Sequence, residues 1–153
     1  MNRKIRIFIL IFFFNFLLIN DVLSEEKDYF LTLKYNKVNV RHGPSEKHLV
    51  KFVYKKKYLP VKIIDSHDRW RKTIDLKNNS GWIHISQLTK KKSAINISDL
   101  ALIFKKPNIY SQPLARLEKG TMVMIKRCKN EWCKILVQSN TGWLQKKFLW
   151  GKF

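Results

Sequence analysis

Two cysteines are the most reactive side chains of this 153-residue chain, and they lie close together as Cys128 and Cys133. Their Cys-x4-Cys spacing differs from the Cys-x-x-Cys of thiol oxidoreductases. A nucleophilic cysteine needs a histidine base nearby, and the four histidines all precede residue 85: His42, His48, His67 and His84. The four intervening residues suit a hairpin loop that sets the cysteines opposite each other. In an oxidising compartment we predict a structural disulfide.

The histidines and carboxylates do not form a recognisable catalytic or metal-binding pattern. No His-x3-His or paired Cys/His spacing is present, although ligand pairs of this kind mark zinc sites. The chain has 11 Asp and Glu residues, and no close pair among them has a setting suited to acid–base work on sugars. We therefore predict no enzymatic activity, no bound metal and no cofactor.

The first 24 residues predict export. Met1–Arg6 is basic, and residues 7–19 are apolar apart from Asn15. This apolar run is shorter than the roughly 20 residues that span a bilayer as a helix. The small Ser24 follows at a suitable distance, so we predict a signal-peptide helix over residues 1–24, cleaved near Ser24, and a periplasmic protein. An uncleaved membrane anchor is the alternative. No cysteine follows the apolar run, which excludes a lipoprotein anchor.

The net charge is strongly positive. The chain has 31 Lys and Arg residues and a formal net charge of +20, most of it outside residues 1–24. Such a field attracts polyanions, and we expect weak electrostatic contact with an anionic membrane or wall. Export argues against nucleic acid as a partner. The alternative is that most lysines are solvated surface in a chain of AT-biased composition.

The sequence contains an internal repeat of about 55 residues. Trp70 is followed after 12 residues by Trp82, and Trp132 after 11 residues by Trp143; a glycine precedes the second tryptophan of each pair. Short stretches with a period of two, interrupted by turn residues such as those at 43–45, predict β-strands. No segment after residue 24 keeps a helical period beyond about two turns. The fold class is therefore all-β, with residues 89–93 as a charged linker or exposed turn.

The motifs resemble those of bacterial SH3 domains. Residues 38–45, Val-Asn-Val-Arg-His-Gly-Pro-Ser, are similar to the opening of these domains, and Gly81-Trp82-Ile83 and Gly142-Trp143-Leu144 are similar to their closing strand. The chain after the signal peptide also resembles exported alphaproteobacterial proteins with two such domains, which carry Cys-x4-Cys in the second copy and a Leu-Trp-Gly near the end, here residues 149–151. The resemblance implies two tandem small SH3-like β-barrels, at residues 30–91 and 97–153. It also implies a binding module for peptidoglycan or an envelope protein.

Strand parity suggests which side chains contact the ligand. Trp82 and His84 lie on one face of their strand and Ile83 on the other, and Trp70 and Arg71 likewise lie on different faces. We predict a groove that involves Arg41, Trp70, Arg71 and Trp82, with Arg69 also at its rim. The alternative is that Trp70 and Trp82 cover the open end of a small barrel.

The second copy differs at the opening motif. It has Leu-Ile-Phe-Lys-Lys-Pro at residues 102–107, without the Arg and the Gly-Pro turn, and we expect Trp132 and Trp143 to be core residues. The first copy is therefore the better candidate for ligand contact.

Two further functions remain open from the sequence. One is a structural or adaptor protein that contacts envelope proteins through exposed sheet edges without binding glycan. The other is a basic protein tethered to the membrane by an uncleaved signal segment. We expect a monomer in each case.

Overall fold

The computed structural model describes residues 29–153, so the predicted signal peptide lies outside the described residues. The prediction of an all-β fold is confirmed. Fourteen strands are present in the described part of the chain. They are β1 (Tyr29–Leu33), β2 (Val38–Arg41), β3 (Val50–Tyr54), β4 (Pro60–His67), β5 (Trp70–Ile74), β6 (Ser80–His84), β7 (Leu88–Thr89), β8 (Ser93–Asn96), β9 (Ala101–Phe104), β10 (Pro113–Leu117), β11 (Met122–Lys129), β12 (Trp132–Val137), β13 (Asn140–Gln145) and β14 (Leu149–Gly151). Short 3₁₀ turns at Ile85–Gln87 and Lys146–Phe148 precede β7 and β14. Between residues 29 and 153, no helix has the length and hydrophobicity needed to cross a membrane.

The strands form two antiparallel sheets with the same topology. The first sheet has the order β3-β2-β6-β5-β4-β1-β7, and the second has the order β10-β9-β13-β12-β11-β8-β14. We call them copy one (β1–β7) and copy two (β8–β14). The sequence predicted about five strands for each copy, and the structure has seven, among them a short final strand that pairs with the first. The first strand of copy two, β8, begins at Ser93.

Each copy has its own hydrophobic core, built from alternate residues of its strands. In β2, Val38 and Val40 are fully buried while their neighbours Asn39 and Arg41 are partly exposed. The core of copy one consists of Leu31, Leu33, Val38, Val40, Val61, Ile63, Ile83 and Leu88. The core of copy two includes Val123, Ile125, Cys133, Ile135, Leu144 and Leu149. The period of two in the sequence therefore corresponds to the burial of one face of each sheet.

The glycine before each repeated tryptophan lies where two strands approach closely. A Cβ atom on Gly81 would overlap the Val40 side chain and come within 2.9 Å of the Arg41 carbonyl oxygen. In copy two, Gly142 is in the same position against Ile103 and the carbonyl oxygen of Phe104. Because only hydrogen fits there, glycine lets β6 cross β2, and β13 cross β9, and thereby orients the tryptophan that follows.

Hydrogen bonds fix the backbone of the segment between the copies. The buried Thr32 hydroxyl donates to the carbonyl oxygens of Thr89 and Lys91, at 3.3 and 3.0 Å. The carbonyl oxygen of Lys92 accepts from the Ile125 N–H at 3.0 Å. The lysine side chains at 90–92 are exposed, as the sequence predicted, but their backbone is held by both copies.

Side chains near the C-terminus join the two copies. The Trp150 ring packs edge-on against Phe30 of copy one, with centroids 4.9 Å apart. The Lys152 ammonium donates to the carbonyl oxygen of Phe30 at 3.1 Å, and the Ser93 hydroxyl donates to the carbonyl oxygen of Tyr58. Partial burial, and to a lesser degree the charges of nearby lysines, lowers the pKa of Lys152. We call this contact the junction.

Gly151 allows the chain to reach the junction. Its φ of +147° is a backbone conformation that residues other than glycine rarely adopt. A Cβ atom there would also lie 2.5 Å from the carbonyl oxygen of Ser93. Leu149 lies in the core of copy two and Trp150 contacts copy one, so the Leu-Trp-Gly motif packs against both copies.

Candidate functional site

Three of the side chains on the outer face of copy one lie side by side across neighbouring strands. Arg41 of β2 is directly opposite Trp82 of β6, and Trp82 is directly opposite Lys72 of β5. Opposed residues on antiparallel strands point to the same face. All three are partly exposed, and this face is opposite the one that carries the core residue Ile83. We call Arg41, Trp82 and Lys72 the Trp82 row.

Trp70 lies on the same face, one step along the sheet, but it is largely covered. It is opposite His84, whose ring packs edge-on against it at a centroid distance of 5.3 Å. Trp70 is 9% exposed and does not belong to the buried core cluster of copy one. Trp70 is therefore a covered residue of the outer face, and Trp82 is more exposed to solvent.

Arg41 also forms a hydrogen bond to the turn beside the row. Its Nη1 atom donates to the carbonyl oxygen of His48 at 2.7 Å. The turn is closed at its base by the His42 N–H, which donates to the Leu49 carbonyl oxygen at 3.1 Å. The arginine of the opening motif thus joins the turn at residues 42–49 to the strand that holds Trp82.

Arg71 is separate from the other three predicted site residues. It is opposite the core residue Ile83, and so it lies on the other side of the sheet from Trp82. Its Nη1 atom donates to the carbonyl oxygens of Asp68 and Trp70, at 2.9 and 2.8 Å. The structure therefore brings together Arg41, Trp70 and Trp82, and leaves Arg71 on a different surface.

Lys72 is the residue of the row that we did not predict from the sequence. The available signal was its position two residues after Trp70, which places both on one face of β5. We predicted the neighbouring Arg71 instead, as a residue at the rim of the groove. Parity alone would have favoured Lys72.

In copy two, the tryptophan of the equivalent row is largely covered by other side chains. Phe104 occupies the position of Arg41, opposite Trp143, and its ring packs edge-on against Trp132 at 5.6 Å. The Arg127 guanidinium lies 5.5 Å from the centre of the Trp143 ring. Trp143 is 8% exposed, but it lies outside the buried core cluster of copy two. The prediction that Trp143 is a core residue is therefore right about burial, although the burial occurs on the outer face.

The predicted disulfide is present. Cys128 and Cys133 are opposite each other on β11 and β12, with Cα atoms 4.0 Å apart, and they are bonded. Neither has a free thiol that could act as a nucleophile. Among residues 29–153, no group of three or more His, Cys, Asp or Glu side chains is placed to hold a metal ion.

Comparison with known proteins identifies the family. The bacterial SH3 domain family matches residues 34–90 and 98–151, which together make up more than half of the chain. The chain therefore belongs to the bacterial SH3 domain family and has two copies of the domain in tandem. Bacterial SH3 domains are typically non-catalytic binding modules, found in cell-wall-associated or exported proteins.

Three known structures are similar to this chain at low identity. NlpC2 from Trichomonas vaginalis is 14% identical, with a TM-score of 0.38, over 84% of this chain and 50% of that one. NlpC1 from the same organism is 12% identical, with a TM-score of 0.36, over 84% and 48%. An NlpC/P60 family protein from Bacillus cereus is 11% identical, with a TM-score of 0.35, over 79% and 55%. The chain thus spans about half the length of these proteins. No curated protein matches it.

Proposed function

We propose that this protein is a non-catalytic binding module of the bacterial cell envelope, and that copy one binds peptidoglycan through the Trp82 row. The observation that carries the proposal is the difference between the copies at this row. In copy one, Trp82 is partly exposed between two basic side chains, whereas in copy two the equivalent Trp143 is 8% exposed and has the Arg127 guanidinium 5.5 Å from its ring centre.

The chemistry of the row suits a glycan that carries peptide carboxylates. An indole ring has a flat apolar face on which a sugar ring can stack, and the N–H at its edge can donate a hydrogen bond. Arg41 and Lys72 are on opposite sides of that ring, so carboxylates on either side of a stacked sugar would meet a cation. Family membership supports a role at the cell wall. Periplasmic location is part of this proposal, as is the signal peptide at residues 1–24.

Co-sedimentation of the purified protein with peptidoglycan sacculi tests the proposal. We expect binding that persists at about 0.15 M ionic strength, where charges more than about 8 Å apart are largely screened. Trp82→Ala should weaken binding at least tenfold, because truncating a central aromatic contact costs about 2 kcal/mol. Lys72→Gln should weaken it by a smaller factor.

Copy two provides the matched control. Lys134 is opposite Trp143, as Lys72 is opposite Trp82, so Lys134→Gln removes the same charge from the equivalent row of copy two. That variant should bind like the wild type. If all variants bind alike, or if binding disappears at 0.15 M salt in every one, the peptidoglycan proposal is wrong.

A second candidate function, a protein adaptor, is favoured by the edge of copy two. Strand β10 is an edge strand, and four of its five residues are exposed, including Leu114 at 48%. The adjoining turn exposes Ile109 at 57% and Tyr110 at 93%. Exposed edges and apolar side chains of this kind are typical of protein contacts. Loss of an envelope partner on Tyr110→Ala, with Trp82→Ala unaffected, would favour this function.

A further inference from the structure

A second candidate site lies at one end of the copy one barrel, away from the Trp82 row. A groove of about 370 Å³ runs beside the Arg71 side chain. Its lining includes four apolar side chains, Tyr29, Leu31, Ile85 and Leu88, and two cations, Arg71 and Lys90. Among residues 29–153, no carboxylate lines this groove. An apolar groove with two positive charges and no counter-ion is complementary to an amphipathic anion.

Arg71 is anchored to the backbone through one nitrogen of its guanidinium group. Nη1 is bound by two backbone carbonyl oxygens, which fix the plane of the group. Nε is buried and has no hydrogen-bond acceptor among the described residues. A buried donor without an acceptor is destabilising. Arginine binds carboxylates through charge-assisted hydrogen bonds.

We propose that this groove binds the C-terminal carboxylate of a short peptide that ends in a small aliphatic residue. The carboxylate accepts a hydrogen bond from the Arg71 guanidinium group and is attracted by the exposed Lys90. The terminal side chain packs on Leu31, Ile85 and Leu88. The volume is near the lower end for ligand pockets, which fits one or two residues and not a longer segment. This site is independent of the glycan-binding face proposed above.

The test is a nuclear magnetic resonance titration of the full chain with N-acetyl-Ala-Ala and with its C-terminal amide. The acid should give saturable shifts at the Arg71 Nε–H and at the backbone N–H groups of Leu88 and Thr89. The amide should bind about tenfold more weakly or worse, because it removes a charge-assisted hydrogen bond. Equal binding of acid and amide would overturn the proposal, as would shifts centred on Trp82.

Three variants define the site further. Arg71→Gln should weaken binding of the acid about tenfold or more. Lys90→Gln should weaken it a few-fold, and because this side chain is exposed its loss leaves the fold intact. Lys134→Gln removes the same charge from copy two, away from both proposed sites, and should leave the affinity unchanged. Equal loss in all three would show general charge attraction only and would overturn the site.

Three carboxylates of the chain itself lie close in sequence to a residue that lines the groove. Glu25, Glu26 and Asp28 immediately precede Tyr29, which lines it. A variant with all three neutralised (Glu25→Gln, Glu26→Gln and Asp28→Asn) distinguishes the two occupants. If the wild type binds the acid, the groove accepts an external peptide. If only the neutralised variant binds it, the groove belongs to the chain's own acidic segment, and the proposal of an external ligand is wrong.

Discussion

At the scale of single residues, the two copies differ in the side chain opposite the repeated tryptophan of the outer face. Position 41 holds an arginine whose Nη1 donates to the His48 carbonyl oxygen, and the indole opposite it is partly exposed. The equivalent position 104 holds a phenylalanine that packs on the neighbouring tryptophan. The backbone register is the same in both copies at this point. The difference in exposure therefore arises from side chains alone.

Arg41→Gln should loosen the turn at residues 42–49. The variant loses the hydrogen bond from Nη1 to the His48 carbonyl oxygen, which at a partly exposed site contributes about 1 kcal/mol or less. We expect faster hydrogen exchange at the His42 N–H, which closes the turn. Lys47→Gln removes an equal charge from the same turn and should leave this exchange rate unchanged. An unchanged rate in Arg41→Gln would show that the turn does not depend on Arg41.

Tyr54 should make the protein less stable in alkaline solution. Burial, followed by the charge of Asp75 and its 3.1 Å hydrogen bond to the phenol, raises the pKa of Tyr54 above its usual value of about 10. Below pH 10 the phenol is protonated in both states, so it adds no pH dependence. Above pH 10 the unfolded chain loses this proton first, and the free energy of unfolding falls as the pH rises.

Urea unfolding between pH 9 and about 11.5 measures this effect. Tyr54→Phe should be less stable at neutral pH by about 1 kcal/mol, since it loses the hydrogen bond. Its stability should then decline less steeply with pH than that of the wild type. The lysines lose charge over the same range in both proteins, so the difference between the two curves isolates Tyr54. Parallel curves would contradict the assignment.

At the scale of elements, equivalent hairpins of the two copies use different means of support. The β4–β5 hairpin of copy one has His67 opposite Trp70, where the β11–β12 hairpin of copy two has Lys129 opposite Trp132. Each hairpin has a bulge in its first strand, between residues 63 and 65 and between 125 and 127. Copy two alone adds a covalent bond, which joins Cys128 to Cys133.

Replacing both cysteines by serine should destabilise copy two selectively. Closing so short a loop contributes roughly 2 kcal/mol in the chain-entropy model. Hydrogen exchange at the Ile135 and Leu144 N–H groups of copy two should become faster, while Val40 and Ile83 in copy one should be protected as before. Addition of a reductant to the wild type should reproduce the effect. Equal loss of protection in both copies would show that their stabilities are coupled.

The sequence predicted the elements better than it predicted the site. The period of two placed Ile83 inside and Trp82 outside correctly, because it depends only on strand geometry. Parity likewise separated Arg71 from Trp70, although the groove hypothesis then grouped them. The cover that Phe104 gives to Trp132 and the bond from Arg41 to His48 depend on non-local contacts. Such contacts have no signature in sequence spacing.

At the scale of the whole molecule, the two copies are docked and not simply connected. The linker has the composition of a solvated connector, yet its carbonyl oxygens accept hydrogen bonds from both copies. Phe30 and Trp150 add an aromatic contact across the junction. A ligand that contacts both copies would therefore meet them at a defined spacing, without the entropy cost of ordering a flexible linker.

Trp150→Ala should separate the copies in solution. The variant removes the ring that packs on Phe30 but leaves the core residue Leu149 in place. We expect a larger radius of gyration by small-angle scattering and two thermal transitions in place of one. Tyr110→Ala truncates an aromatic ring that is 93% exposed, and it should behave like the wild type. A single unchanged transition in Trp150→Ala would show that the backbone hydrogen bonds alone hold the junction.

The order of the strands along the chain also sets an order of assembly. Copy one is complete at Thr89, and because N-terminal domains generally fold first during synthesis, its barrel can close before copy two has been made. Strand β14 and the contacts of Trp150 and Lys152 come from residues 149–152. These contacts can therefore form only after residues 149–152 have been synthesised, and a chain truncated before Leu149 would lose β14 and the contacts together.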